Sequence, residues 1–288
     1  MSLKKLSFAL FILFHTCFEN KVSAQEFGLQ INAGLMNYGG DLRTTPYTFR
    51  EVKLTAGADI RYQINKFAVR AGFNYGSIQS DDKKIKSFIY RNLSFKTNIT
   101  EASLCLEYDI FSPDQDHKLI PYVFAGIGVY HYNPYTTYNS QKVYLQPLGT
   151  EGEGLSIYPD RKVYSLTNFE DPLGIGIKYK LSSNLLIGVE FNSRFLYTDY
   201  LDDVSKTYPD ESELFKAHGQ LAVDVSFRGD EIDPTLTYPS GKRRGNPKHN
   251  DNYYTSVLTL TYIFSNHGLF ENPFGHNKHA IKCPKKVQ

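Results

Sequence analysis

The sequence contains no tryptophan, only two methionines and only three cysteines in 288 residues. Cys17 lies in an N-terminal apolar run, which leaves Cys105 and Cys283, too few for a disulfide framework. Beyond that first run no stretch stays apolar for the ~20 residues a membrane helix requires, so any membrane crossing must use strands. The chain also lacks an excess of either charge. Its formal net charge is +2, and removing Lys4, Lys5, Lys21 and Glu19 with residues 1–24 brings it to neutrality. No global field then steers the chain toward nucleic acid. Neither a sustained helical period nor a low-complexity linker appears, which argues against a helical bundle or a string of domains.

What is abundant is tyrosine (22), phenylalanine (20) and glycine (21), a balance that favours β-structure. Lys4 and Lys5 precede LSFALFILFHTCF and the small-residue exit Val22-Ser23-Ala24, the pattern of a cleaved secretory signal with the mature start at Gln25. His15 and Thr16 ahead of Cys17 do not form a lipobox. The expected organisation is a signal at 1–24, one β domain at 25–264 and a basic tail at 265–288.

Within the β domain, alternating segments recur at 27–36, 53–63, 67–76, 95–110, 121–131, 173–181, 185–197 and 253–264, an even set of eight. The intervening stretches alternate in length: 37–52, 77–94, 132–172 and 198–252 are long, whereas 64–66, 111–120 and 182–184 are short. Long loops on one rim and short turns on the other, with both chain ends on the short-turn side, match an outer-membrane barrel. A secreted sandwich has no reason to follow that rule. The predicted fold is therefore an all-β, eight-stranded antiparallel transmembrane barrel with long extracellular loops.

The segment LGIGIKYKL at 173–181 shows how such a strand divides. Leu173, Ile175, Ile177 and Tyr179 share one face; Gly174, Gly176 and Lys178 share the other. In a barrel the aliphatic face meets lipid, and the glycine face enters a lumen just wide enough for side chains to fill. The same phase carries Lys53, Asp59, Arg61, Arg70, Glu107, Lys178, Glu190 and Arg194, which are expected to pair as a charge network inside. Tyr62, Tyr75, Tyr108, Tyr179 and Tyr197 near strand ends are expected in interfacial girdles.

Several stretches resemble the PorG-like outer-membrane barrels of Bacteroidota: FGLQINAGLMNYGGDL at 27–42, RNLSFKTNITEASL at 91–104, PYVFAGIGVYHYNP at 121–134, DPLGIGIKYKL at 171–181, EFNSRFLYTDYLDDVS at 190–205, and RGNP at 244–247 followed by DNYYTSVLTLTYIF. TDYLDDVS is the most distinctive of them. The resemblance implies an outer-membrane barrel without enzymatic activity or cofactor. For PorG itself it implies a part in the type IX secretion system beside a periplasmic ring of PorK and PorN. On that reading the basic tail residues Lys278, Lys282, Lys285 and Lys286 are the expected contacts to periplasmic ring proteins, and the membrane partners are outer-membrane lipid and lipopolysaccharide. The alternative is a barrel whose long loops bind outside partners, as an adhesin or receptor.

Other motifs carry less. His131, Ser193 and Glu190 could form a catalytic group at one rim, but Ser193 and Glu190 lie in opposite phases of one strand. His267, His276, His279 and Cys283 match no strong zinc spacing, and Asp114 and Asp116 lack the glycine and distal glutamate of a calcium loop. Arg228-Gly229-Asp230 spells an integrin-type tripeptide. Lys242, Arg243 and Arg244 form a basic run that could meet lipopolysaccharide phosphates or simply be solvated. Asp202 and Asp203 are expected to cap a loop through Asx turns.

Overall fold

The computed structural model describes residues 25–43, 51–111 and 117–264. In chain order its strands are β1 (Gln25–Gly39), β2 (Lys53–Ile64), β3 (Phe67–Asp81), β4 (Ser94–Asp109), β5 (Leu119–His131), β6 (Tyr135–Tyr138), β7 (Gln141–Tyr144), β8 (Thr167–Lys180), β9 (Leu185–Leu196) and β10 (Asn252–Phe264). Eight of them, β1–β5 and β8–β10, form a closed antiparallel barrel. β1 pairs with both β2 and β10, β5 pairs with β8, and the β3–β4 pairing completes the ring. Closure leaves no unpaired edge in the wall. The short hairpin β6–β7 continues the sheet above the wall through the pairing of Lys96 with Tyr135.

The connections 65–66 and 181–184 lie at one rim, where β4 ends and β5 begins, and 82–93, 132–166 and 197–251 lie at the other, where β1 ends and β2 begins. Several strands run farther toward the long-loop rim than alternation alone indicated. β3 continues to Asp81, and β8 begins at Thr167 instead of residue 173. There the strands reach the aromatic boundary and pass it, and most of their outward residues are polar, Ser77 and Gln79 on β3 and Thr167 and Asp171 on β8 with Phe169 between them, so the two-residue hydropathy signal fades.

Two short helices that the sequence pattern did not announce, α1 (Glu211–His218) and α2 (Gln220–Ser226), fold within 197–251. Each spans about two turns, too few to show a period, and their signals are local. The Asp210 carboxylate accepts from the backbone N–H groups of Ser212 and Glu213 to cap α1, and Gly219 at φ 78° turns the chain between them. No helix among the described residues is long and apolar enough to cross a membrane.

Side-chain burial is inverted relative to a water-soluble protein. Leu173, Ile175 and Ile177 are 51%, 60% and 48% exposed on the outer face, whereas Lys178 is 2% exposed inside. The outward aromatic residues gather at two levels. Phe27 and Tyr62, Phe67 and Tyr108, and Tyr262 ring the short-turn side; Tyr75, Phe169, Phe195 and Tyr197 ring the other. This is the architecture of a membrane-spanning barrel.

Gly174 and Gly176 show why β8 carries glycine: a Cβ at either would strike the ring of Phe124 or Tyr122 on the neighbouring strand. The outer face of the same strand makes a test. Ile175→Lys is expected to cost about 2–4 kcal/mol if Ile175 lies near the bilayer midplane, read as folding yield in lipid vesicles. Wild-type folding of that variant would reverse the facing assignment.

Candidate functional site

The lumen is filled by an ionic lattice. At its centre Glu107 accepts from Arg61 at 2.5 Å, Lys178 at 2.6 Å and Arg70 at 3.1 Å. Arg70 reaches on to Glu190 at 2.9 Å and Asp59 at 3.6 Å. Glu190 also accepts from Gln30 at 3.0 Å and from the Tyr122 hydroxyl at 2.7 Å, while Lys178 also meets Asp109 at 2.6 Å. Toward the long-loop rim Arg194 holds Glu101 through two bonds of 2.9 and 3.0 Å, and the Tyr253 hydroxyl donates to Glu101 and Glu170.

The rings admitted by the two glycines support the cations. The Arg70 guanidinium lies 4.8 Å from the centre of Phe124, and the Lys178 ammonium 4.5 Å from that of Tyr122. Two cavities of about 20 and 30 Å³ remain beside this lattice, each room for about one water.

Of the residues expected in the lumen, Asp59, Arg61, Arg70, Glu107, Lys178, Glu190 and Arg194 are brought inside, with Arg194 joined to Glu101 and not to the other six. Lys53 stands apart. It is half-buried at the outer end of β2 and makes no ion pair among the described residues. Glu101, Asp109, Gln30 and Glu170 join the lattice beyond the expected set. The first three share the inward phase of strands already recognised, so the same alternation rule would have found them. Glu170 precedes the expected start of its strand.

Above the lattice the long loops fold inward as a cap. Tyr130, Tyr132, Tyr164 and Tyr200 stack in sequence with ring centres 5.5, 6.4 and 4.9 Å apart, leading from the wall into the cap. Met36, Leu42, Phe95, Leu201 and Val204 pack around them. Two arginines tie the loops together. Arg91 bonds both oxygens of Asp82 at 2.8 and 2.7 Å, the Asp41 carbonyl at 2.9 Å and the Arg244 carbonyl at 2.8 Å. Arg244 bonds Glu151 at 3.2 Å and the Asp203 carbonyl, and the Glu151 carboxylate accepts from the backbone N–H groups of Ser205 and Lys206.

The TDYLDDVS segment lies inside this cap. Asp202 accepts from the Val204 N–H at 2.9 Å, as an Asx turn would, and also from the Tyr38 hydroxyl. Asp203 accepts from the hydroxyls of Thr150 and Tyr164 at 2.5 and 2.7 Å. Both are buried, so they hold loops together instead of capping a solvated turn. Burial pushes the carboxyl groups of Asp199 and Glu153 up to about 8, and neighbouring carboxylates add to it. Asp203 is pushed up to about 6 by burial, with Arg244 opposing.

The structure revises two loop motifs. Arg244 is buried and ion-paired, so the basic run at 242–244 does not present three free cations. Arg228 is tied to Glu231 at 2.7 Å and Gly229 is buried, so the Arg-Gly-Asp tripeptide is not displayed as a free loop. His131 is exposed on the outer wall beside Thr167 at 3.0 Å, while Glu190 is locked to Arg70 inside; with Ser193 they do not converge. The expected signal at 1–24 and the tail residues Lys278, Lys282, Lys285 and Lys286 lie outside the described residues. So do His267, His276, His279, Cys283, Asp114 and Asp116.

Among solved structures, the fold is similar to Neisserial surface protein A (10% identity, 83% of this chain and 97% of that one, TM-score 0.42). It is also similar to Ail, the attachment invasion locus protein of Yersinia pestis (10% identity, 83% and 99%, TM-score 0.40), and to the outer membrane enzyme PagL (14% identity, 81% and 98%, TM-score 0.33). Likeness at this level adds nothing to what the strand order already establishes. No curated protein matches the chain. A family pattern does match, over residues 4–242, and the chain belongs to that family, described as a domain of unknown function, DUF6089.

Proposed function

We propose that this chain is a non-enzymatic outer-membrane barrel that works as an anchored scaffold of a type IX secretion machine, and not as a pore. The observation that carries the scaffold reading is the filled lumen: among the described residues the Glu107 and Arg70 lattice spans the interior, and the cavities beside it are water-sized. The resemblance to PorG-like barrels of Bacteroidota supplies the machine. The short turns and both ends of the strand set share one rim, which in this reading faces the periplasm. There the tail with Lys278, Lys282, Lys285 and Lys286 would meet PorK/PorN-type ring proteins. The secretory-signal pattern read in the sequence of residues 1–24 and the outward apolar belt support the outer-membrane location.

A clean deletion strain should export several-fold less type IX cargo to the medium and retain it in the periplasm, and the purified barrel should stay electrically silent in a planar bilayer. Normal export with no paralogue to compensate would refute the secretion role. Steady channel currents would refute the filled lumen. A second reading, a barrel that binds outside partners, is favoured by the folded cap, in which Arg91 and Arg244 organise 132–166 and 197–251 into a defined surface. It predicts normal export together with loss of surface binding in the deletion strain.

A further inference from the structure

On the long-loop side a cleft of about 310 Å³ opens where the β3–β4 hairpin meets β6. This is at the small end of the ~300–1,000 Å³ range of small-molecule sites. Its lining is polar, and cations outnumber anions: Lys83, Lys84, Lys96 and Arg228 against Glu51 and Asp81.

Most of these charges are already engaged. Glu51 is held by both Arg43 at 3.2 Å and Lys84 at 2.7 Å, and Arg228 is held by Glu231. Asp81 turns its carboxylate to the Lys83 backbone N–H at 2.9 Å. Lys83 and Lys96 are different: both are exposed, and neither ammonium group has a carboxylate at ion-pair distance among the described residues. Ser94 and Thr136 line the same cleft with their hydroxyls 3.1 Å apart, and the Arg228 guanidinium donates to the Thr136 hydroxyl at 3.2 Å. Two ammonium groups without a carboxylate at ion-pair distance, Lys83 feeling only the more distant Glu231, beside a pair of hydroxyls suit an anion that also carries hydroxyls.

The height of the cleft narrows the choice. The outward face of β3 is apolar through Phe73 and Tyr75, 55% and 52% exposed, then turns polar at Ser77 and Gln79. Tyr75 pairs with Thr100 and Gln79 with Lys96, so the cleft begins four residues beyond the last outward aromatic of this strand. At ~3.3 Å per residue and a tilt of ~40° that is roughly 10 Å above the aromatic boundary, the level of lipid headgroups and their sugars.

We propose that this cleft binds a phosphorylated saccharide, either the sugar phosphate of lipopolysaccharide in the same leaflet or a soluble sugar phosphate. The proposal rests on the outer-membrane reading only for the height of the site, and not on the secretion role.

The test uses the full-length barrel in detergent micelles, titrated with glucose 1-phosphate and with glucose, and in vesicles with and without lipopolysaccharide. Binding of glucose 1-phosphate but not glucose, weakened by raising salt, supports the proposal with a soluble source sufficing. Binding confined to lipopolysaccharide vesicles, and lost when that lipopolysaccharide is dephosphorylated, supports it with the lipid as source. In either case the double variant Lys83→Gln/Lys96→Gln should bind at least tenfold more weakly, whereas Lys242→Gln/Lys248→Gln should match wild type. Heat-modifiable gel migration shows that each variant is folded, and membrane fractionation tests the location independently. No binding of either phosphate form, equal binding of glucose and its phosphate, or equal loss in both double variants would overturn the proposal.

Discussion

Replacing Glu107 by alanine is expected to cost about 3–5 kcal/mol of folding stability in lipid vesicles, enough to abolish most folded barrel under mild urea. Glu107 is fully buried and is the shared partner of Arg61, Lys178 and Arg70. Taking away its carboxylate leaves three cations crowded in a lumen whose neighbouring cavities hold room for about one water each, and repulsion adds to lost hydrogen bonding. Asp109 can still hold Lys178 and Glu190 can still hold Arg70, so Arg61 is left worst off. Glu107→Gln, which keeps the volume, should fall between alanine and wild type. Adding Arg61→Met to Glu107→Ala should recover part of the loss, because an uncompensated buried charge goes with it. Urea titration followed by heat-modifiable gel migration measures all three variants, and a Glu107→Ala barrel within 1 kcal/mol of wild type would show that the lattice does not hold the wall together.

The wall was legible in the sequence because one rule, period-two alternation, fixes both faces of a strand at once. Ile175 and Lys178 are assigned to opposite sides by that rule, and the structure places them so. Which charges meet was not legible. Arg70 and Glu190 come from strands on different sides of the ring, and their contact depends on register and tilt, which alternation does not encode. The glycines show the same boundary. Their inward phase was readable, but the space at Gly174 and Gly176 goes to the rings of Phe124 and Tyr122, with Arg70 and Lys178 resting on those rings in turn.

The cap was hidden for a different reason. Asp202, Asp203 and Arg244 are polar residues in long loops, a composition that ordinarily means solvent. They are buried because loops from different parts of the chain meet over the barrel mouth, a long-range fact with no local signature. The helical segment 211–226 was missed because about two turns cannot display a period, although the Asp210 cap was readable in Pro209-Asp210-Glu211-Ser212-Glu213.

Because the cap buries carboxyl groups in excess of cations, it is expected to loosen as pH rises from 6 to 9. Asp199 and Glu153 titrate near 8 in the folded cap against ~4 in the unfolded chain, so between those values the folded state holds protons that the unfolded state has released. Stability from these groups is therefore complete below about pH 4 and is lost as pH climbs through 8, the reverse of the usual salt-bridged carboxylate. Each group contributes at most about 1.4 kcal/mol per pH unit across that window. The surroundings reinforce the direction. Asp41 and Glu151 push the Asp199 carboxyl up, Asp203 and Glu151 push Glu153 up, and Arg244 is already occupied by Glu151 and Asp203. Hydrogen exchange of 197–251 should show protection falling at least tenfold between pH 6 and pH 9, after correction for the intrinsic rate, while the barrel keeps its heat-modifiable migration. Asp199→Asn, which removes the charge and keeps the shape, should retain more of that protection at pH 9. Protection independent of pH, or a wall that opens together with the cap, would show that these protons do not hold the loops down.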